Sequence, residues 1–203
     1  MSELVEISDS DGWYARFRAA QPPRWQARQA VDRLGERLAG ATAERLARCG
    51  VAEDRVLCAV LLRGGALLYP AFASRLPGAD FTLLGLQRQP SGTVACSYLS
   101  NVPQSRYDRI VYVDCVAATG RTLLAARMAL AQHCLSGGDL AALICSSTPA
   151  TELVAAAGYD VVGFSLWEAV DGGIVSPDLG ELDAGDLFSS PVAERHRDPA
   201  GRR

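Results

Sequence analysis

Lysine is absent from this chain; all 20 basic residues are arginine, beside 23 acidic residues and two histidines. Without lysine there is no Walker A phosphate loop. The histidines, His133 and His196, stand apart and suit no nucleophile–base pair, and the sequence offers no Ser-His-Asp set, His/Cys metal cluster or paired catalytic carboxylates. The six cysteines (Cys49, Cys58, Cys96, Cys115, Cys134, Cys145) lack C-x-x-C spacing and several fall in apolar stretches. They read as reduced, buried thiols of a cytoplasmic protein. Long hydrophobic runs are also missing. None reaches the length of a bilayer span, and the acidic, polar start from Met1 to Trp13 is neither a signal nor a transit peptide. With a net charge of −3 and no basic block, neither nucleic acid nor a membrane surface is an expected partner. What is present is 203 residues, 49% hydrophobic and 21% charged, enough for one globular domain with a real core and no solenoid repeat.

The most organised stretch runs from Asp108 to Ala126. Ile110-Val111-Tyr112-Val113 is the β-branched apolar run of a buried parallel strand, and Asp114 ends it. Ala117-Ala118-Thr119-Gly120 follow, then Arg121-Thr122 and a helical pattern from Leu123. Small side chains let backbone N–H groups approach an anion, Thr119 and Thr122 add hydroxyl donors, and the helix N-terminus adds its dipole. Asp114, at the carboxyl end of the strand, can accept hydrogen bonds from sugar hydroxyls. An ordinary βα turn with a threonine cap would look similar, so this stretch alone leaves both readings open.

The rest of the chain is arranged around it. Residues 1 to about 23 read as a loosely attached lead-in punctuated by Pro22-Pro23, with Trp13, Tyr14 and Phe17 offering some packing. Arg24 to Cys49 is helical in pattern, and Gly35 and Gly40 invite a break into two helices near Gly40. Val56–Leu62 is a buried strand closing at Arg63-Gly64-Gly65-Ala66, where an arginine beside two glycines at a sheet's carboxyl edge suits an anion. A helix to about Ser74 and a strand from Asp80 to Gln87, ending at Arg88, come next. The polar segment 89–106, with an extended hairpin over Thr93–Leu99, reads as a lid. The helix after Gly120 continues to about Leu135, Leu140–Cys145 is a strand, Ser146-Ser147-Thr148-Pro149 opens a helix through Ala157, and Val161–Phe164 is a further strand. This alternation predicts an α/β fold, a mostly parallel sheet flanked by helices with a C-terminal irregular segment. It is read as one domain, with a helical region at about 24–50, an α/β core at 56–165, an irregular hood at 166–190 and a charged tail at 191–203 expected to be disordered. Ligands then bind beyond the carboxyl ends of the strands.

The last informative stretch, Asp171 to Ser189, is rich in Gly, Pro and Asp and reads locally as an irregular loop anchored by Ile174, Val175, Leu179 and Phe188. Its string Ile174-Val175, Pro177, Leu179-Gly180, Asp183-Ala184-Gly185-Asp186 and Phe188 is similar to Y-I-V-P-G-L-G-D-A-G-D-R-x-F-G-T, the base-binding hood of the uracil phosphoribosyltransferases. No common turn demands such a string. The loop from Asp114 to Thr122 resembles the signature with which type I phosphoribosyltransferases bind 5-phosphoribosyl 1-diphosphate (PRPP), and Leu62-Arg63-Gly64-Gly65-Ala66 resembles the family's L-R-A-G-L. Arg88 stands where the family has a strand ending in arginine. Cys115 occupies the position of the second acid of the general signature, an acid that the uracil branch also lacks. In the hood, Gly173 replaces the usual tyrosine, Ser176 and Glu181-Leu182 are inserted, and Leu187 replaces an arginine.

The resemblance implies a phosphoribosyltransferase that ribosylates a nitrogen base, uracil to UMP by default, with release of pyrophosphate. A different base acceptor, or a non-catalytic nucleotide-sensing regulator of the same fold, are the alternatives; the pyrimidine attenuation regulators share the T-G-R-T found at Thr119-Gly120-Arg121-Thr122. Carried over residue by residue, Arg63, Gly64, Arg88, Asp114, Ala117, Ala118, Thr119, Gly120, Arg121 and Thr122 would bind PRPP. Arg63, Arg88, Asp114 and Asp183 would serve catalysis, and Ile174, Asp183, Ala184 and Gly185 would meet the base, mostly through backbone groups. Mg²⁺ would be held mainly through PRPP, with no dedicated protein metal set. The implied partners are PRPP and a small planar base, and a homodimer stays open.

Overall fold

The computed structural model describes residues 2–17, 24–89, 91–100, 106–168, 170–171 and 174–175. Its strands are β1 (Leu4–Glu6), β2 (Val56–Leu62), β3 (Asp80–Arg88), β4 (Val94–Leu99), β5 (Arg109–Ala117), β6 (Gly138–Ser147) and β7 (Asp160–Glu168), with a short pair β8 (Val170–Asp171) and β9 (Ile174–Val175). Its helices are α1 (Trp13–Phe17), α2 (Arg24–Arg48), α3 (Tyr69–Arg75), α4 (Arg121–Gln132) and α5 (Thr148–Ala156). The main sheet has seven strands in the order β1-β7-β6-β5-β2-β3-β4, so the stretch that dominates the sequence forms the central strand. All neighbours are parallel except β3 and β4, an antiparallel hairpin at one edge. The architecture is the expected α/β fold.

Alternation along β5 divides the core in two. Val111, Val113 and Cys115 pack with Val31, Leu34 and Leu38 of α2 and Phe72 of α3. Ile110 and Tyr112 pack with Leu123, Ala126 and Leu130 of α4 and Val154 of α5. A period of two requires that split, and cover on both faces is why such strands read as unbroken apolar runs. Chirality accounts for the placement of the helices. The unit β2-α3-β3 steps one way across the sheet, while β5-α4-β6-α5-β7 steps the other, so right-handed crossovers put their helices on opposite faces. The direction reverses between β2 and β5, which are neighbours with Val60 opposite Val113. Beyond the carboxyl ends of these two strands lies the crevice in which sheets of this kind bind ligands.

Several expectations change. The lead-in is not loose: β1 pairs in parallel with β7, Leu4 opposite Val161. Tyr14 and Phe17 are buried, and Tyr14 stacks on Phe164 with centroids 6.3 Å apart and planes at 9°. Helix α2 runs unbroken through both glycines. At Gly35 an added Cβ would sit 3.1 Å from Leu68 Cδ2, so that glycine admits the turn leading to α3, and tertiary packing outweighs its weak helix propensity. Strand β5 continues past Asp114 because residues 114–117 still pair with β6, Asp114 opposite Leu143 and Ala117 opposite Ser146. Helix α4 stops at Gln132, short of Leu135. The cysteines divide: Cys58, Cys115 and Cys145 are buried, while Cys49, Cys96 and Cys134 are exposed, and none of the six forms a disulfide. Burial pushes the Cys58 thiol up to about 12. Among the described residues no helix is long and apolar enough to cross a membrane. Most of the 166–190 segment and the 191–203 tail lie outside the described residues.

Candidate active site

The turn after β2 and the end of β5 fit together through two missing side chains. The chain leaves β2 by a cis Leu62–Arg63 peptide and a single 3₁₀ turn, Gly64–Leu67. A Cβ on Gly65 would lie 2.2 Å from the Val113 carbonyl oxygen, and one on Gly64 would lie 2.7 Å from Asp114 Oδ1. Both are closer than a carbon can stand, so glycine is what lets this turn rest on β5. One hydrogen bond adds to the contact, and a second, within β5, fixes the Asp114 carboxylate. The Cys115 thiol donates to the Gly64 carbonyl at 3.3 Å, and Asp114 Oδ1 accepts from the Cys115 N–H at 2.8 Å. One lip of the crevice therefore carries Arg63, which is exposed, and the other carries the half-buried carboxylate of Asp114. Cys115 itself turns the other way, into the core beneath α2 and α3. A carboxylate at that position would be buried there, which gives a physical reason for a thiol in place of a second acid.

Beyond Ala117 the loop 118–120 leads into α4. Gly120 caps that helix with φ +69° and ψ −12°, the left-handed region that favours glycine. Its position is also tight: a Cβ would meet the Ala150 carbonyl oxygen and Val154 Cγ1, each at 3.2 Å. Thr119 and Thr122 are half-buried and Arg121 is exposed. The predicted phosphate residues Ala117 to Thr122 thus form one continuous loop opening a helix, whose first-turn N–H groups have no partners within the helix.

A residue that sequence reasoning passed over lies beneath this loop. Ser147, fully buried, is the N-cap of α5, and its Oγ accepts from the Ala150 N–H at 3.1 Å. The same hydroxyl donates to the Ala118 carbonyl at 2.6 Å. The signal available was the Ser-Thr-Pro string, a helix start that places a serine at the cap, although nothing in it points towards the loop across the sheet.

The β3–β4 hairpin overhangs the crevice. Strand β3 pairs with β2 as far as Gly85, opposite Leu62, and continues alone with β4 until Arg88 stands opposite Val94. At the hairpin tip Arg121 Nη1 donates to the Gly92 carbonyl at 3.5 Å, the long limit for such a bond. The stretch Thr93–Leu99, expected to be an extended hairpin, is instead a single strand, β4, whose hairpin partner is β3; the backbone of Arg88 sits at the carboxyl end of β3, and its side chain lies outside the described residues. The backbone of Ile174 lies in β9, opposite Asp171. Asp183, Ala184 and Gly185 lie outside the described residues. The structure thus gathers Arg63, Gly64, Asp114 and the whole 117–122 loop at the β2–β5 crevice. Among the described residues no group of three or more His, Cys, Asp or Glu side chains could hold a metal. Among the described residues, a divalent cation in the crevice would draw on Asp114 at most, beside oxygens of a bound ligand.

The family model for uracil phosphoribosyltransferase matches residues 40–180. The chain belongs to the uracil phosphoribosyltransferase family. The matched span contains the Arg63 turn, Arg88, Asp114, the 117–122 loop and Ile174. A phosphoribosyltransferase takes PRPP and a nitrogen base, so these are the chain's substrate classes. Among solved structures, the AQ2163 protein from Aquifex aeolicus is similar at 18% identity, over 91% of this chain and 97% of its own, with a TM-score of 0.76. The TT1426 protein from Thermus thermophilus is similar at 19% identity, over 77% of this chain and 95% of its own, with a TM-score of 0.53. At such identities the likeness is one of fold. No curated protein matches the chain.

Proposed function

We propose that the β2–β5 crevice binds PRPP with Mg²⁺ and transfers its phosphoribosyl group to uracil, giving UMP and pyrophosphate. The observation that carries this reading is the meeting of the Arg63 turn, Asp114 and the 117–122 loop at the point where strand order reverses. The loop and the first turn of α4 would cradle the 5′-phosphate through backbone N–H groups and the hydroxyls of Thr119 and Thr122. Asp114 would accept hydrogen bonds from the ribose hydroxyls. Arg63 and Arg88 would face the pyrophosphate, because guanidinium groups match phosphate oxygens and stay charged. Mg²⁺ would add neutralisation of the departing pyrophosphate, held chiefly by oxygens of PRPP itself.

In the reaction the C1′–O bond to pyrophosphate breaks and the electron pair leaves with the pyrophosphate oxygen. The ribose takes on oxocarbenium character, and a ring nitrogen of the base forms the new bond to C1′ as it gives up its proton. Asp183 is the residue that the family resemblance sets near that nitrogen, with backbone groups of Ile174, Ala184 and Gly185 reading the edge of the base. Positioning and electrostatics supply the rate, and no covalent enzyme intermediate is needed. Backbone readout gives specificity because a mismatched base leaves buried polar groups unpaired.

The test is pyrophosphate release from PRPP and Mg²⁺ against uracil, cytosine, purines and simple aromatic acids and amides. Release with uracil is the expected result. Release with a different base would keep the chemistry and replace the acceptor, which the substitutions at Gly173 and Leu187 would then explain. No release with any base, together with no thermal stabilisation by PRPP, would overturn the proposal.

A further inference from the structure

We infer that Ser147 is a positioning residue for PRPP binding, holding the phosphate loop in its anion-accepting conformation through its hydrogen bond to the Ala118 carbonyl. The inference rests on the reading of residues 117–122 as the PRPP phosphate loop. A peptide unit is planar and trans, so its carbonyl and the next N–H point opposite ways. With the Ala118 carbonyl held on Ser147 Oγ at 2.6 Å, the N–H of Thr119 points away from Ser147 and the α5 floor. Were this peptide to turn over, a carbonyl oxygen would replace an N–H where a phosphate has to sit.

The floor is built for this single arrangement. Gly120, in the left-handed region, lies against the Ala150 carbonyl and Val154 on the first turns of α5, so the next residue of the loop is seated on the same helix that Ser147 caps. Ser147 is fully buried at the end of β6, and its hydroxyl bridges the two elements: it accepts from Ala150 and donates to Ala118. A hydroxyl both accepts and donates on one atom, and does so more strongly and at shorter range than a thiol, so the position calls for serine or threonine. Its neighbour Ser146 faces the other side, towards Thr151 and the Leu166 carbonyl, and takes no part.

The experiment compares Ser147→Ala, Ser147→Thr and Glu152→Gly with the unaltered chain, measuring KM for PRPP, kcat, melting temperature and the NMR chemical shift of the Thr119 amide, which reports the orientation of the 118–119 peptide. Glu152 is on the exposed side of α5, and glycine there weakens the helix without touching the loop. Ser147→Ala should raise KM for PRPP about fivefold to tenfold, as expected for one lost hydrogen bond, with kcat within about twofold. The Thr119 amide shift should move in the free protein. Ser147→Thr should restore both, and Glu152→Gly should lower the melting temperature while leaving KM for PRPP in place. An unchanged KM and an unchanged Thr119 amide shift in Ser147→Ala would overturn the inference, as would an equal rise in KM from Glu152→Gly. An unaltered chain that neither turns over PRPP nor is stabilised by it would instead overturn the proposed function, and this inference with it.

Discussion

The amino edge of the sheet, where the strands begin, is tied by charge. Arg45 of α2 reaches Glu3 Oε2 at 2.7 Å and Asp160 Oδ2 at 3.0 Å, and Arg109 joins the same Asp160 oxygen at 3.5 Å. Arg55 and Asp108 pair at 2.8 Å across the starts of β2 and β5, Arg127 reaches Asp139 at 3.3 Å, and the Tyr107 hydroxyl donates to Asp80 at 2.6 Å. The carboxyl edge is joined by contacts of another kind: Gly65 against a carbonyl of β5, the Cys115 thiol on the Gly64 carbonyl, and Ser147 on the Ala118 carbonyl. These contacts are made by backbone and small side chains, whereas the amino edge uses long charged ones. On the proposed reading ligand contact belongs to the carboxyl edge, so a substitution at the amino edge should cost stability and leave ligand use largely intact, whereas one that lifts the carboxyl-edge turn should cost both.

The largest effect should come from Gly65→Ala. A Cβ there lies 2.2 Å from the Val113 carbonyl oxygen, so the turn must lift off β5 at a cost of about 3 kcal/mol or more. Turnover of PRPP should be lost along with part of the melting temperature, and retention of both would show that the edges are not built differently. Next comes Asp160→Ala, which strips Arg45 and Arg109 of a shared, nearly buried partner. It should cost about 3 kcal/mol in urea unfolding and leave KM for PRPP unchanged. A large rise in KM would couple the two edges. Asp114→Asn is the converse experiment. The fold and melting temperature should hold, while PRPP use weakens about tenfold to a hundredfold, the range for a hydrogen bond to a charged group. Unchanged PRPP kinetics would remove Asp114 from the site. The smallest effect concerns pH. The Arg55 guanidinium, by its hydrogen bond, holds the Asp108 carboxyl below the usual carboxylate range. The pair therefore stabilises the fold in full above that usual range, and its contribution disappears as pH falls through the lower folded-state value. Asp108→Asn should flatten this acid limb slightly, as judged by melting temperature between about pH 2 and 5, and leave turnover at neutral pH alone.

What could be read in advance follows from how strongly each feature writes itself into residue types. Strands β2, β5 and β6 are covered on both faces, so Val56–Leu62 and Ile110–Val113 appear as unbroken apolar runs. The proposed phosphate loop calls for small residues and glycine, and Ala117, Ala118 and Gly120 supply them. By contrast, β1 is three residues long with one half-buried position, too short for any periodicity to register. Strand β5 ends in Asp114-Cys115-Val116-Ala117, where a carboxylate interrupts the apolar run and a small residue follows, so its end looks like a turn although it still pairs with β6. Gly35 reads as a residue that weakens α2, with a break expected near Gly40, when it in fact admits Leu68, a contact 33 positions along the chain that no local pattern can announce. Ser147 is the same case at the site: its sequence neighbourhood describes a helix cap, while its second hydrogen bond reaches a loop 29 positions earlier.

The pairing of β1 with β7 has a practical side. Besides the strand register, Ile7 N–H donates to the Gly163 carbonyl and the Ser2 hydroxyl to the Ala155 carbonyl, so the first residues of the chain are stitched down along their length. Trimming them to make a tidier protein for expression would lay bare the backbone of β7, a strand whose Val161, Val162 and Phe164 are apolar. An uncovered strand of that kind recruits another molecule's strand in place of the one it lost. The shortened chain should therefore be found in the insoluble fraction of the cell, a loss of yield that an activity assay on the surviving soluble protein would never reveal.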